Sequence, residues 1–538
     1  MNDKHHTTRP AAQAVTRSPS RRDMLRGVAG LGAGALLGGT LLPFGAGAES
    51  VAATQAPRKG GVARLATEIT DATATLDPPR ILTNTDIARG FQIYNGLVRI
   101  DENLEVRPML AESWEMAKPD ATEWVFKLRR GVTFHNGKTL TSADVVWNLR
   151  RHLGAKSESR AKSMMADVRD VQADGPDVVR VTLANPNAEF PVVLALPYLL
   201  IAPEGYIDPV NPVGTGPFKM KEFTPGGGSM FVRNDQYWNA ANVFLDAIEV
   251  VAIADPVGRL NGVLAGDLDF AMSADVKALP LLEKSDSVEK VYARAGQIVA
   301  IDMQCDRAPT SNADFRLALK LLQDRQKVCD SVYKGYAQIG NDHPVSPIDP
   351  MYFADLPMRA YDLDKARFHL KKAGMEGAQI EIYVAPGIGP GLIDQMLTFQ
   401  QTAAPAGLKV KVNQVPGEGY WTQTWMKFPL TSAHKNMRPR SDIYWSNFVS
   451  PGSSNNETKF KDPRIDDLLI AARSAVDVTK RKQHWADLQT IIHQDGGYML
   501  AAFPDYLHSK SKKLHGLAPH PTAGLSDFLS GEGLWLES

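Results

Sequence analysis

Phe126-Lys127-Leu128-Arg129-Arg130-Gly131-Val132-Thr133-Phe134-His135-Asn136-Gly137-Lys138, running on into Ala143-Asp144-Val145-Val146, is the stretch whose reading decides the fold. Trp124 to Leu128 has the composition of a strand, Gly131 to Gly137 supplies turn residues, and Thr141-Ser142-Ala143-Asp144 opens a helix. Gly137-Lys138-Thr139 invites a phosphate-loop reading. That loop needs a glycine five residues before the Gly-Lys pair, so that successive N–H groups cradle phosphates. The position is Val132, and Gly131 is one residue off. The segment is therefore a strand–turn–helix unit, and His135 in its turn is expected to make a structural hydrogen bond.

The same alternation continues on both sides. Val178–Leu183, Ala247–Ile253, Gln297–Ile301 and Gln379–Val384 read as strands. Asp314 precedes a helix with Phe315, Ala318, Leu319 and Leu322 on one face. Asp364 caps a second, stopped by Gly374, and Asp462-Pro463 opens a third. A fourth carries Trp485, Leu488, Ile491 and Ile492 and stops at Gly496-Gly497. Alternating strands and helices over this length predict α/β lobes rather than one barrel or bundle. No internal repeat or low-complexity tract interrupts them.

The 538 residues, 43% hydrophobic and 22% charged, have an ordinary globular composition. At roughly 150 residues per domain they suggest about three domains. Near the start, Ser20-Arg21-Arg22-Asp23-Met24-Leu25-Arg26 is a twin-arginine pattern. The uncharged Gly27–Leu42 and the small-x-small Ala46-Gly47-Ala48 follow it. A basic region, an apolar region and a cleavage site read as an export signal over residues 1–48. The 16-residue apolar run carries six glycines and falls short of the ~20 residues a spanning helix needs. Removing residues 1–48 takes six basic and two acidic groups from equal totals of 60, so the mature chain carries a net charge of −4. That balance offers no field for nucleic acid, and a soluble periplasmic protein is the expectation. Cys305 and Cys329 remain after cleavage, and the sequence leaves open both a disulfide and two free thiols.

Motifs for chemistry are missing. The mature chain has no H-E-x-x-H, no C-x-x-C and no G-x-S-x-G, so no cofactor, metal or nucleophile is assigned. What stands out is aromatic clustering: Tyr420, Trp421 and Trp425, then Tyr444 and Trp445, with Gln423, Ser446 and Asn447 nearby. Rings beside amides and hydroxyls suit a pocket that holds a small organic ligand without transforming it. Ordinary core packing is the alternative.

Several further segments carry a resemblance. Lys59-Gly60-Gly61-Val62, Thr75-Leu76-Asp77-Pro78, Tyr94-Asn95-Gly96-Leu97-Val98 and Pro108-Met109-Leu110-Ala111-Glu112-Ser113-Trp114 come first. They join the opening stretch, Gly214-Thr215-Gly216-Pro217-Phe218, Asn234-Asp235-Gln236-Tyr237-Trp238, Gly266-Asp267-Leu268-Asp269 and Tyr361 to Gly374. Over about residues 59 to 505 the chain resembles the extracellular solute-binding proteins, family 5, which deliver peptides, nickel complexes and other solutes to ABC importers.

The resemblance implies a two-lobed periplasmic binding protein fold of α/β class, with an extra subdomain on lobe I and a hinged central cleft. Lobe I would be 49–94, 202–296 and 506–538, the subdomain 95–201, and lobe II 297–505, with hinges near 296 and 505. It also implies a monomer that passes a small solute to a membrane permease, without enzymatic activity. The alternatives are a nickel or metallophore carrier of the same family, and an exported hydrolase. The segment Arg80 to Asp86, with Thr83 and Asn84, would line the lobe I side. In peptide-binding relatives an aspartate after a lobe II strand pairs the peptide's α-amino group. Aligned on Pro451, Asn447 stands in its place, with Trp445, Tyr444 and Ser446 beside it and Trp425, Trp421 and Tyr420 as further wall. An amide supplies no charge for an ammonium. Taking 442–447 as an extended strand sets Asp442 on the face opposite Asn447. Unmodified di- and tripeptides are therefore expected to bind poorly.

Overall fold

The computed structural model describes residues 56–68, 74–522 and 530–537. Residues 1–48, the expected export signal, lie outside the described residues. Three main sheets organise the rest. A seven-stranded sheet runs in the order Val288–Ala293, Tyr506–Ser511, Phe270–Ala271, Val62–Thr67, Ala247–Ala252, Ser229–Arg233 and Phe218–Phe223. A six-stranded sheet runs Ala337–Ile339, Tyr498–Pro504, Ile298–Met303, Leu430–Lys435, Gln379–Val384 and Lys409–Gln414. A four-stranded antiparallel sheet, Ala111–Met116, Glu123–Leu128, Val178–Leu183 and Val168–Ala173, stands apart from both. Both larger sheets mix parallel and antiparallel pairs and pack helices against their faces, the arrangement expected of α/β lobes.

Helix starts follow local hydrogen-bond chemistry. Asp462 accepts from the Arg464 N–H, with Pro463 opening the helix Pro463–Ser474. Two helices start two residues earlier than the sequence reading placed them. Asn312, not Asp314, accepts from the Phe315 N–H, and Asp362, not Asp364, accepts from the Lys365 N–H. The aspartates named from sequence instead occupy the first turn, where they favour the helix dipole. Gly374, at φ +68°, ends the second of these helices as expected. The Gly131–Gly137 turn is structural: the His135 ring hydrogen-bonds the Gly216 carbonyl at 3.1 Å, and burial lowers its pKa to about 4.

One local assignment is corrected. Residues 442–447 are not extended but lie in the helix Ser441–Phe448. Tyr444, Trp445, Phe448 and Val449 repeat with helical spacing into one core cluster. Ser446 Oγ and Asn447 Nδ2 donate back to the carbonyls of Asp442 and Ile443.

The chain crosses between the two large sheets twice, between Ala293 and Ile298 and between Pro504 and Tyr506. The crossings are knitted together. Gln297 Nε2 donates to the Pro504 and Asp505 carbonyls at 3.3 and 3.1 Å, and the Asp505 carboxylate accepts from the Ala295 N–H and the Tyr292 hydroxyl, each at 2.9 Å. Gly296 has to be glycine: a Cβ there would sit 2.2 Å from Ser346 Oγ. Cys305 and Cys329 are both free thiols. No helix among the described residues is long and apolar enough to cross a membrane.

Candidate functional site

Where the three sheets' bodies meet, a cavity of about 130 Å³ opens. Its first wall is the helix Asn84–Ile93, started by a capping box in which Thr83 Oγ1 accepts from the Asp86 N–H and Asp86 returns the bond to Thr83. That start directs Asn84, Ile87 and Phe91, three and four residues apart, along one helix face into the cavity. The second wall is Ala195–Tyr198, with Arg99 and Ile100. The third is Asn436–Pro439, the segment that leaves the strand Leu430–Lys435, and His520 and Thr522 close the ring.

Among the described residues, the charged ones lining the cavity are Arg99 and Arg438, and none is a carboxylate. Arg438 is half-buried, with no carboxylate within salt-bridge distance among the described residues, and its charge acts on the Tyr506 hydroxyl, whose pKa burial raises. The site thus presents donors and positive charge beside apolar Phe91, Ile87 and Met437.

A second, larger cavity of about 480 Å³ lies between the four-stranded subdomain and the helices Ser441–Phe448 and Pro463–Ser474. Ser446 and Asn447 line it, and Ser163 Oγ donates to Asn447 Oδ1 at 3.1 Å. Because the segment is helical, Asp442 lines the same cavity rather than the opposite face. Its charge is engaged: Arg473 Nε lies 2.6 Å away, and burial raises the carboxyl pKa. The two walls are clamped nearby, where Glu189 accepts from Arg440 at 2.9 Å and pairs with Arg481 at 3.1 Å.

The nine residues singled out from sequence therefore fall in different places. Asn84 enters the inter-lobe cavity and Thr83 caps its helix. Asn447 and Ser446 reach the second cavity. Trp445 is fully buried against Trp485, their rings 5.6 Å apart and nearly edge-on. Tyr420 is buried with its hydroxyl donating to the Ser432 carbonyl at 2.7 Å.

Trp421 and Trp425 enclose a charge. Lys435 Nζ lies 4.5 Å from the Trp421 ring, 4.7 Å from Trp425 and 5.1 Å from Phe448. It is 3.4 Å from Glu457 Oε2, while Glu457 Oε1 accepts from the Tyr444 and Tyr498 hydroxyls. Asp302, wholly buried, faces the same enclosure, and burial together with Glu457 holds its pKa well above the carboxylate range. Tyr444 thus belongs to this enclosure as a hydrogen-bond donor. Sequence reasoning missed Asp302, Lys435, Arg438 and Glu457. For Lys435 and Arg438 the available signal was spaced basic residues at and just beyond a strand end, beside the aromatic cluster; Asp302 and Glu457 had none.

Two α/β lobes joined by paired crossings, with a subdomain and a cavity where all three meet, define a two-lobed binding protein. Residues 105–456 match the family described as bacterial extracellular solute-binding proteins, family 5. The chain is 25% identical over 490 residues to heme-binding protein A of Haemophilus influenzae, covering 82% of this chain and 88% of that one. It is 24% identical over 485 residues to a glutathione-binding protein of Escherichia coli (strain K12), covering 84% and 91%. A periplasmic binding protein of Helicobacter pylori solved with a peptide shares the fold at a TM-score of 0.77 and 23% identity, covering 89% of this chain and 99% of that one. The chain belongs to the family-5 solute-binding proteins and has their role, the solute-binding component of an ABC importer.

Proposed function

We propose that the solute is a small molecule bearing a carboxylate or similar anionic group, held in the inter-lobe cavity with that group on Arg438. The observation that carries this is the half-buried Arg438 guanidinium in a lining with no acid among the described residues. A guanidinium binds a carboxylate through charge-assisted, paired hydrogen bonds that are stronger in a closed cleft than in water. Apolar Phe91, Ile87 and Met437 would receive the rest of the molecule. Glutathione, heme and a peptide, the solutes named for the relatives above, all bear carboxylates. The cavity's volume of about 130 Å³ is below the usual range for a whole ligand, so entry requires the lobes to part and close again about the crossings near 296 and 505.

The same proposal includes export by the twin-arginine signal, a periplasmic location, the lobe boundaries given above, and a monomer serving an inner-membrane permease. Lysine keeps the charge of arginine but not its fork. Changing both Arg21 and Arg22 to lysine is therefore expected to hold the precursor in the cytoplasm, read by fractionation.

Calorimetry tests the solute class with glutathione and its dimethyl ester. The acid is expected to bind at least about tenfold more tightly, and Arg438→Gln is expected to abolish the difference. Equal affinities for acid and ester, or an unchanged preference in the variant, would overturn the assignment.

A further inference from the structure

Glu189 lines neither cavity, yet it ties two walls of the inter-lobe cavity together. Its carboxylate accepts from Arg440 Nε at 2.9 Å and pairs with Arg481 at 3.1 Å. All three side chains are largely buried. Glu189 precedes the short helix Phe190–Val193, and the same stretch of chain runs on into the wall Ala195–Tyr198. Arg440 follows the opposite wall, Asn436–Pro439, and only Pro439 separates it from Arg438. Arg440 Nη1 also donates to the carbonyls of Leu104 and Pro439, at 2.6 and 2.9 Å. Leu104 has φ +62°, a left-handed conformation that a leucine seldom adopts. Such strain persists where the surroundings over-determine it, and it gathers at clamps and switch regions.

We propose that Glu189 is a positioning residue for the solute: by clasping Arg440 and Arg481 it holds the Arg438 wall against Ala195–Tyr198 and keeps the cavity closed on a bound molecule. The link from clasp to site is short and stiff, because the one intervening residue is a proline with φ fixed near −65°. Solute on Arg438 and carboxylate on Arg440 therefore act on one rigid segment. The clasp depends on charge as well as shape. Without the carboxylate, two buried guanidiniums would be left facing each other, and breaking a buried pair by removing one partner is costly. Parting the walls returns both guanidiniums to water, so losing the carboxylate favours the open arrangement.

The walls share apolar contact too. Met437 and Ile443 belong to the same buried cluster as Leu104 and Phe190. Apolar contact is non-directional and draws the walls together without fixing their register. A guanidinium–carboxylate bond is directional and sets where the two backbones stand. A solute that binds only when the walls are together loses apparent affinity in proportion to the population held apart. Glu189 thus acts on the solute through Arg440 and Arg438 and touches nothing that enters the cavity. This inference rests on the solute-binding reading of Arg438.

The experiment compares the mature chain with Glu189→Gln, which keeps the shape and removes the charge. Without solute, small-angle scattering is expected to give the variant the larger radius of gyration. Calorimetry is expected to show glutathione bound about tenfold more weakly, and saturating glutathione should bring the two radii together. Arg440→Gln should behave alike, and the double variant should lose no more affinity than the weaker-binding single variant, because both changes open one clasp. If circular dichroism shows Glu189→Gln unfolded, Arg440→Gln makes the same comparison with wild type. A merely structural Glu189 would lower the melting temperature and leave radius and affinity unchanged. An unchanged radius, an unchanged affinity or additive losses in the double variant would each overturn the inference. If the wild-type chain binds no glutathione, the solute reading of Arg438 fails, whereas the clasp then stands or falls on the radius alone.

Discussion

The two faces of the strand Ile298–Met303 belong to one six-residue segment and have opposite characters. Val299, Ile301 and Met303 point into a cluster with Phe315, Met396 and Phe399, which closes by apolar contact alone. Ile298, Ala300 and Asp302 point the other way. There, Ile298 and Ala300 join Trp445 and Trp485, while Asp302 stands directly across from Thr431 and Tyr498. Antiparallel pairing fixes this alternation, because a shift of one residue would carry every side chain to the wrong face. The first face needs only volume. The second mixes filled core with a buried carboxyl that needs its proton, and that difference separates a face closed by volume from one that also depends on charge.

The largest effects should come from opening voids on either face. Trp445→Ala is expected to cost about 3–5 kcal/mol of stability and Ile301→Ala about 2–5 kcal/mol, measured by denaturant unfolding. A loss well under 1 kcal/mol for Trp445→Ala would mean that its ring is not core and would return it to the ligand wall.

Asp302→Asn should sharpen the contrast. A carboxyl whose folded pKa is raised binds its proton more tightly in the folded state than in the unfolded one. Wild-type stability then falls as pH rises from the unfolded value, about 4, toward the raised one. The amide removes that slope. We expect the melting temperature of the variant to change less than that of the wild type between pH 5 and pH 8, and to equal or exceed it at pH 8. An unchanged slope would show that Asp302 is not the titrating group.

Trp421→Ala is expected to have the smallest effect on stability, below about 1 kcal/mol, because the ring is already 41% exposed. A large loss of stability would instead make this wall of the enclosure structural.

Much of the fold could be read along the chain. The strands at Trp124–Leu128, Val178–Leu183 and Gln379–Val384, the Asp462-Pro463 helix start and the Gly374 stop depend on nearest neighbours: side-chain alternation, a cap, a positive φ. The helix at 441–448 was less legible, because its aromatic-rich sequence suits a strand equally well and only packing against Trp485 and the neighbouring core selects the helix. For the same reason the sequence separated Asp442 from Asn447, and the structure puts both on one cavity.

What the sequence determined by itself was the alternation of elements, the missing catalytic and metal motifs, and an aromatic cluster beside polar groups. Only the tertiary structure decided which aromatics are core and which surround a charge. It brought Asp302, Lys435 and Glu457 together from two neighbouring strands and a distant loop, and it left Arg438 at a cavity with no acid among its described lining residues. The reason is physical. Propensity and capping act over a few residues, whereas charge balance and burial depend on groups more than a hundred positions apart that meet only when the sheet has formed.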